Sequence, residues 1–188
     1  MKSQPRNPVY LSYYNSKMGR ITLVASNKGL VRVSLPLNNS TNFEELLQNR
    51  FEVKFEKNHI LERVCKELDE FFTYKRKKFD VPFDIQEGTD FQRKVWNQLL
   101  KIPYGKTYSY KQIANMINNP GAVRAVGSAN KANPLPLFIP CHRCIGSNGS
   151  LVGYAGNDPK NLKFKADLLQ FEKNKNSLFT LLSKEDSV

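Results

Sequence analysis

The stretch Asn133-Pro134-Leu135-Pro136-Leu137-Phe138-Ile139-Pro140-Cys141-His142-Arg143-Cys144 constrains this fold more than any other part of the chain. A proline fixes φ and removes a backbone donor, so neither a helix interior nor a central strand can hold Pro134, Pro136 and Pro140. The residue before each proline is pushed toward extended backbone as well. Apolar side chains fill the gaps between the prolines, so the stretch is expected to run extended and buried. It delivers Cys141 and His142 at its end. Everything around it must accommodate a rigid, apolar, non-helical segment that carries a thiol and an imidazole.

Three chemistries fit that end of the segment. Cys141-x-x-Cys144 has the spacing of a redox pair, although no βαβ context precedes it. The two thiols and His142 are metal-ligand types, but a closed zinc site needs a fourth ligand, and only Cys65 and His59 remain. A single cysteine nucleophile with a histidine base is the third, since a neighbouring imidazole or cation favours the reactive thiolate.

The segments leading to this stretch read as helices. Thr89-Asp90-Phe91-Gln92 has the form of a capping box, and Phe91, Val95 and Leu99 follow on one face of a helix that stops before Pro103. Ser109 can cap a short helix over Tyr110–Ile117, Asn118–Gly121 supplies a turn, and Ala122–Lys131 reads as a second helix. Helix, tight turn, helix is the outline of a helix-turn-helix, which any packed helix pair also produces. The second helix sharpens it. Ala122, Ala125, Ala129 and Ala132 recur at helical spacing and leave one face nearly free of bulk, while Val123 and Val126 supply an anchoring stripe. Arg124 projects beside the small face, with Lys131 further along. Such a surface suits entry into a groove of DNA, with the arginine occupying space left by a displaced base; close packing on another helix is the competing reading.

The first half is organised differently. Val9–Tyr13, Ile21–Ala25 and Leu30–Leu35 are short and rich in β-branched and aromatic residues, and Asn27-Lys28-Gly29 makes the last two a hairpin. Thr41–Gln48 and Leu61–Tyr74 look helical, the latter closed by the cations of Lys75–Lys78. Cys65 falls on that helix's apolar stripe and is expected to fill core, and His59 lies in a charged loop. A polar link, Asp84–Gly88, then separates residues 1–84, an α/β domain with no site of its own, from a mostly helical domain over 85–175 and a polar tail over 176–188. The expected class is α+β. Of 188 residues 40% are apolar, enough for packed cores, and no apolar run reaches the roughly 18 residues of a membrane span. Three cysteines make no disulfide framework, and the polar start is unlike a secretory signal, so a reducing cytoplasmic (or, in a eukaryote, nuclear) setting is expected. With 29 Lys plus Arg against 17 Asp plus Glu, a net charge of +12 attracts polyanions.

Pro140-Cys141-His142-Arg143, preceded by Arg124-Ala125-Val126-Gly127 and Asn133-Pro134, closely resembles the O6-alkylguanine-DNA alkyltransferases. The resemblance runs from about Phe91 to Glu172 and includes Ile102-Pro103-Tyr104-Gly105, Ser109-Tyr110 and Gly153-Tyr154-Ala155-Gly156, in the right order and at the right separations. It implies irreversible, single-turnover transfer of an alkyl group from O6-alkylguanine in double-stranded DNA to Cys141, with O4-alkylthymine as a second candidate substrate. His142 would take the thiol proton through a water molecule, Glu172 would orient His142, and Asn133 would tie the cysteine segment to the helix-turn-helix. Tyr110 would displace the target phosphate and donate to the flipped base, and Arg124 would fill the vacated stack. Ala125 and Ala129 would line the helix face in the minor groove. Tyr154 would wall the base pocket, with Arg143, Cys144 and Ala155 among the base and DNA contacts. The backbone carbonyls of Cys141 and Cys144 would accept from the guanine amino group. A monomer binding DNA with little sequence preference, without cofactor or metal, is implied.

The chain departs from the family at several points. Cys144 stands where an aliphatic residue is usual, which raises the prospect of an oxidative Cys141–Cys144 switch, against plain packing. Asn157–Asn161 reads as an insertion in the loop over the pocket, and Ala155 stands where some members have a serine. The ligands of the zinc site found in some relatives are missing. Two other readings predict no transfer: a relative that binds alkylated DNA with its acceptor cysteine replaced, and a plain helix-turn-helix regulator.

Overall fold

The computed structural model describes residues 7–37, 43–152 and 158–173, and the chain forms two compact units, Met1–Gln86 and Glu87–Val188. In the first, β1 (Pro8–Ser16), β2 (Gly19–Ala25) and β3 (Leu30–Ser34) form an antiparallel meander. The expected hairpin is its second half. A short β4 (Glu52–Lys54) adds to the other side of β1 in parallel, giving the order β3-β2-β1-β4. Alternation along β1 turns Val9, Leu11 and Tyr13 to one face, where they meet Val24, Val31, Leu47 and Phe51 beneath α1 (Phe43–Gln48). On α2 (His59–Phe72) the Tyr14 hydroxyl donates to Asp69 at 2.8 Å, and the Tyr14 and Phe72 rings stack 6.0 Å apart.

Three expectations change here. His59 begins α2 behind the Asn58 cap and does not lie in a loop. Cys65 is half-buried at the margin of a stripe whose core is Leu61, Val64, Leu68 and Phe71. The helix ends at Phe72, because Tyr74 takes a left-handed φ of 61°, and Lys75–Lys78 therefore lie beyond its last turn. Arg76 instead reaches back to Glu70 at 2.7 Å and forward to Asp80 at 2.8 Å.

The second unit is helical around one tryptophan. α3 (Asp90–Leu99) starts in the expected capping box, with the Thr89 side chain accepting from the Gln92 amide and the Gln92 side chain accepting from the Thr89 amide. A second capping box, Ser109 with Gln112, starts α4 (Tyr110–Met116). A turn with Asn118 at φ 57° leads to α5 (Val123–Lys131), so the helix-turn-helix outline forms. Trp96 of α3 locks the three helices, its Nε1–H donating to the Ala129 carbonyl at 2.9 Å. That bond and its burial remove Ala129 from the exposed face of α5: it is 1% exposed and packs inward with Val126. The small solvent face is instead Gly121, Ala125, Ser128 and Ala132, flanked by exposed Arg124 and Lys131.

The proline-rich segment is buried as expected, but it is not extended. Leu137 takes φ 78°, Pro136 and Ile139 bridge, and the Ile139 amide donates to the Leu135 carbonyl at 2.8 Å, which folds the segment into a compact turn. The prolines forbid regular structure without forbidding a reversal. A single 3-10 turn (Cys141–Arg143) follows, then β6 (Cys144–Ile145), parallel to β5 (Tyr108–Ser109). The chain closes with α6 (Pro159–Lys173). Pro159, Lys160 and Asn161 form its first turn, so this part of the supposed pocket-loop insertion is helix, and Asn161 is fully buried. Tyr154, Ala155 and the tail from 174 lie outside the described residues. No helix among the described residues is long and apolar enough to cross a membrane.

Candidate active site

The folded proline segment leaves Cys141 in a short turn, 3% exposed, with its thiol inside the domain. Asn133, just past α5, organises it: Nδ2 donates to the Ile139 carbonyl at 2.8 Å and to Cys141 Sγ at 3.1 Å, while Oδ1 accepts from the Leu135 amide at 3.0 Å. One amide therefore fixes the turn and supports negative charge on the sulfur. Burial pushes the thiol above its ordinary range; the Asn133 bond and the charge of Lys165 pull the other way. A thiol with an intrinsically low pKa is not what this site holds, so the sulfur needs a base to be activated.

The base is beside it in sequence. His142 is fully buried, and its Nε2–H donates to Glu172 Oε1 at 2.8 Å. The carboxylate can only accept, which places the hydrogen on Nε2 and leaves Nδ1 as the basic atom, with no hydrogen-bond partner among the described residues. Burial lowers the pKa of His142 while Glu172 raises it, and the net shift is downward, so the ring is neutral. Glu172, near the end of α6, accepts four further contacts: Arg143 Nε to both oxygens at 3.1 and 2.9 Å, Arg143 Nη2 at 2.9 Å and the Gly105 amide at 2.9 Å. Burial would push its carboxyl up, yet these bonds hold it at about 2. The His142 hydrogen bond lowers it most, and because that ring is neutral the full positive charge beside the carboxylate is that of Arg143. Gly105 sits at φ 71° with the Glu172 carbonyl 3.1 Å from where a Cβ would be, so a side chain there would be strained.

Arg143 is thereby taken out of the DNA-contacting group to which the sequence assigned it. It is 7% exposed, and its Nη1 donates to the Ile102 carbonyl at 2.7 Å while the rest of the guanidinium grips Glu172. Tyr110 is also buried, its hydroxyl donating to the Val152 carbonyl at 2.8 Å. Arg124 and Ala125 lie on the exposed face of α5. Cys144 is fully buried, and burial raises its thiol pKa to about 11. All three cysteines are free, and among the described residues no three His, Cys, Asp or Glu side chains converge as a metal site.

Two residues of the site escaped the sequence reading. Lys165 of α6 is fully buried, its Nζ 3.0 Å from the Val152 carbonyl and 3.4 Å from the Tyr110 hydroxyl. Burial lowers it to about 8, against the pull of the two thiols. Its signal was present: Asn161, Lys165, Leu168 and Glu172 recur at i, i+4, i+7 and i+11, a buried stripe with a lysine in it. Asn130 of α5 is the second. It is 6% exposed and faces the Tyr110 hydroxyl and the Cys144 thiol, yet neither amide atom makes an aligned hydrogen bond.

A helix-turn-helix outline joined to a buried Cys-His-Glu arrangement is the architecture of a DNA-binding protein with a cysteine nucleophile, and comparison with known proteins names the family. Residues 90–174 match the DNA binding domain of 6-O-methylguanine DNA methyltransferase, and residues 9–85 match its ribonuclease-like domain. The constitutive methylated-DNA–protein-cysteine methyltransferase of Bacillus subtilis is 39% identical over 166 residues, 87% of this chain and 96% of that protein. The inducible enzyme of the same organism is 42% identical over 171 residues, 90% and 93% of the two chains. The crystal structure of Mycobacterium tuberculosis OGT in complex with DNA superimposes with a TM-score of 0.74 at 34% identity, covering 94% of this chain and 99% of that one. The chain belongs to the 6-O-methylguanine DNA methyltransferase family.

Proposed function

We propose that this protein repairs DNA by direct reversal, moving an alkyl group from O6 of guanine to Cys141 Sγ in one irreversible turnover. The observation that carries the reading is the join of Cys141 to Asn133 on one side and of neutral His142 to Glu172 on the other. His142 Nδ1 is the atom left to receive the thiol proton, through a bridging water, and Glu172 stabilises the imidazolium that results. The S–C bond forms as the C–O6 bond breaks, the electron pair stays on O6, and a proton completes the guanine. The product is a thioether, and among the described residues no group in the site is suited to cleave it. The protein is consumed by its reaction.

The alkyl group lies inside the duplex, so the base must leave the stack, at a cost of roughly a few kcal/mol. The Gly121–Ala132 face of α5 is the surface that lets backbone approach the minor groove, with Arg124 positioned to occupy the space of the extruded base. Exposed Lys106, Lys111 and Lys131 supply phosphate contacts, which carry no sequence code. Tyr110 would exchange the Val152 carbonyl for the base, and the Cys141 and Cys144 carbonyls would take its amino group. The protein acts as a monomer in the compartment that holds the DNA.

Mass spectrometry after incubation with a duplex bearing O6-methylguanine tests this. One methyl is expected on Cys141 and none on Cys141→Ala, whose DNA affinity stays within about tenfold of wild type because the phosphate contacts lie elsewhere. Binding without a mass gain would favour the damage-recognition or regulator readings, and methylation of the alanine variant would move the nucleophile to another residue.

A further inference from the structure

Asn130 is more than nine-tenths buried, and among the described residues it is the side chain whose donor and acceptor both lack an aligned hydrogen bond, although it lies within reach of the Tyr110 hydroxyl and the Cys144 thiol. A fold does not keep such an amide for stability, since an apolar residue of similar size would serve the core better. Its place is informative. It lies on the inner side of α5, three residues before the Asn133 that holds the thiol, and it faces Tyr110 and Cys144. In the reading above, those two residues meet the extruded base.

We propose that Asn130 is a specificity-determining residue that selects alkylated guanine over alkylated thymine. When the base enters, Nδ2–H donates to the Tyr110 oxygen, whose own hydrogen turns to the base, and Oδ1 accepts one hydrogen of the guanine 2-amino group while the Cys141 and Cys144 carbonyls share the other. Both halves of the amide are then paired. An alkylated thymine presents the O2 acceptor at the corresponding edge and no donor. Oδ1 then faces a lone pair and stays unpaired, an arrangement that a buried site discriminates against strongly. The inference rests on the proposed transfer to Cys141 and adds the basis of its base preference.

The test measures single-turnover transfer for wild type, Asn130→Leu and Asn130→Asp on duplexes carrying O6-methylguanine, O6-methylhypoxanthine (which lacks the 2-amino group) or O4-methylthymine. Wild type is expected to favour O6-methylguanine over both others. Asn130→Leu should lower the guanine-to-thymine rate ratio by about tenfold or more, the loss falling mainly on O6-methylguanine. Asn130→Asp keeps an acceptor and should retain more of the ratio. Asn130→Leu is expected to melt no lower than wild type, since it removes an unpaired amide. Equal losses of Asn130→Leu on all three substrates, or an unchanged ratio, would overturn the assignment and leave Asn130 as packing. Wild type that methylates Cys141 from none of the three would overturn the transfer reading itself.

Discussion

Arg143 and Glu172 meet as a buried bidentate ion pair, Nε 2.9 Å from Oε2 and Nη2 2.9 Å from Oε1. The same carboxylate holds His142, so two consecutive residues of the 3-10 turn and one residue of α6 together fix the orientation of the base. Breaking a buried pair strands a charge, which is why removing one partner costs far more than the pair's net worth.

Glu172→Gln is therefore expected to destabilise the protein by about 3–5 kcal/mol and to slow transfer even under conditions where it remains folded. The effect depends on pH. The Glu172 carboxyl sits at about 2 when folded against an ordinary 4.5, so the unfolded chain binds the proton first as pH falls. Its contribution, about 3 kcal/mol, is complete above pH 4.5 and is lost as pH falls toward 2. Urea midpoints for both proteins across that range would show the gap closing toward acid; a gap that does not move with pH would mean that Glu172 acts by shape alone.

Lys165 has the opposite signature. Its folded value of about 8 lies below the ordinary 10.5, so below pH 8 the protein bears the full penalty of a buried charge, and stability is regained as pH rises from 8 to 10.5. Lys165→Met should be more stable than wild type at pH 7, by up to about 3 kcal/mol, with the difference shrinking across that window. Transfer should slow, because the Lys165 charge favours the Cys141 thiolate. A variant less stable than wild type at pH 7 would show that the lysine's contacts outweigh its desolvation.

Arg124 is exposed on the first turn of α5, so its removal should leave the fold intact. Arg124→Ala is expected to slow repair of duplex DNA by roughly tenfold or more while leaving reaction with free O6-benzylguanine nearly unchanged, since a free base needs no extrusion. Comparable losses on both substrates would assign Arg124 to the protein's own structure.

Cys144 is held out of solvent beside Cys141, and burial raises the pKa of both thiols. Attack on an oxidant requires thiolate and access, and both are limited here. Mild hydrogen peroxide should therefore leave both thiols reduced and transfer intact, and Cys144→Val should behave as wild type. Reversible inactivation of wild type alone, with a Cys141–Cys144 disulfide in the mass spectrum, would establish the switch instead.

What the sequence determined by itself were features written in short-range chemistry. Thr89 with Gln92 announced α3, alternation announced the meander, and the proline-bracketed segment announced a buried cysteine, because capping, pleating and φ restriction act within a few residues. The tertiary structure decided the rest. Leu137 at φ 78° turned an expected extended run into a reversal, since prolines exclude helix and ladder without specifying direction. Ala129 went inside because Trp96, more than thirty residues away, needs its carbonyl. Arg143 became the anchor of Glu172, and Lys165 and Asn130 entered the site, through contacts between segments separated by up to 55 residues. Local pattern assigns a side chain to a face of its own element; the partner waiting at that face belongs to another element, and only packing supplies it.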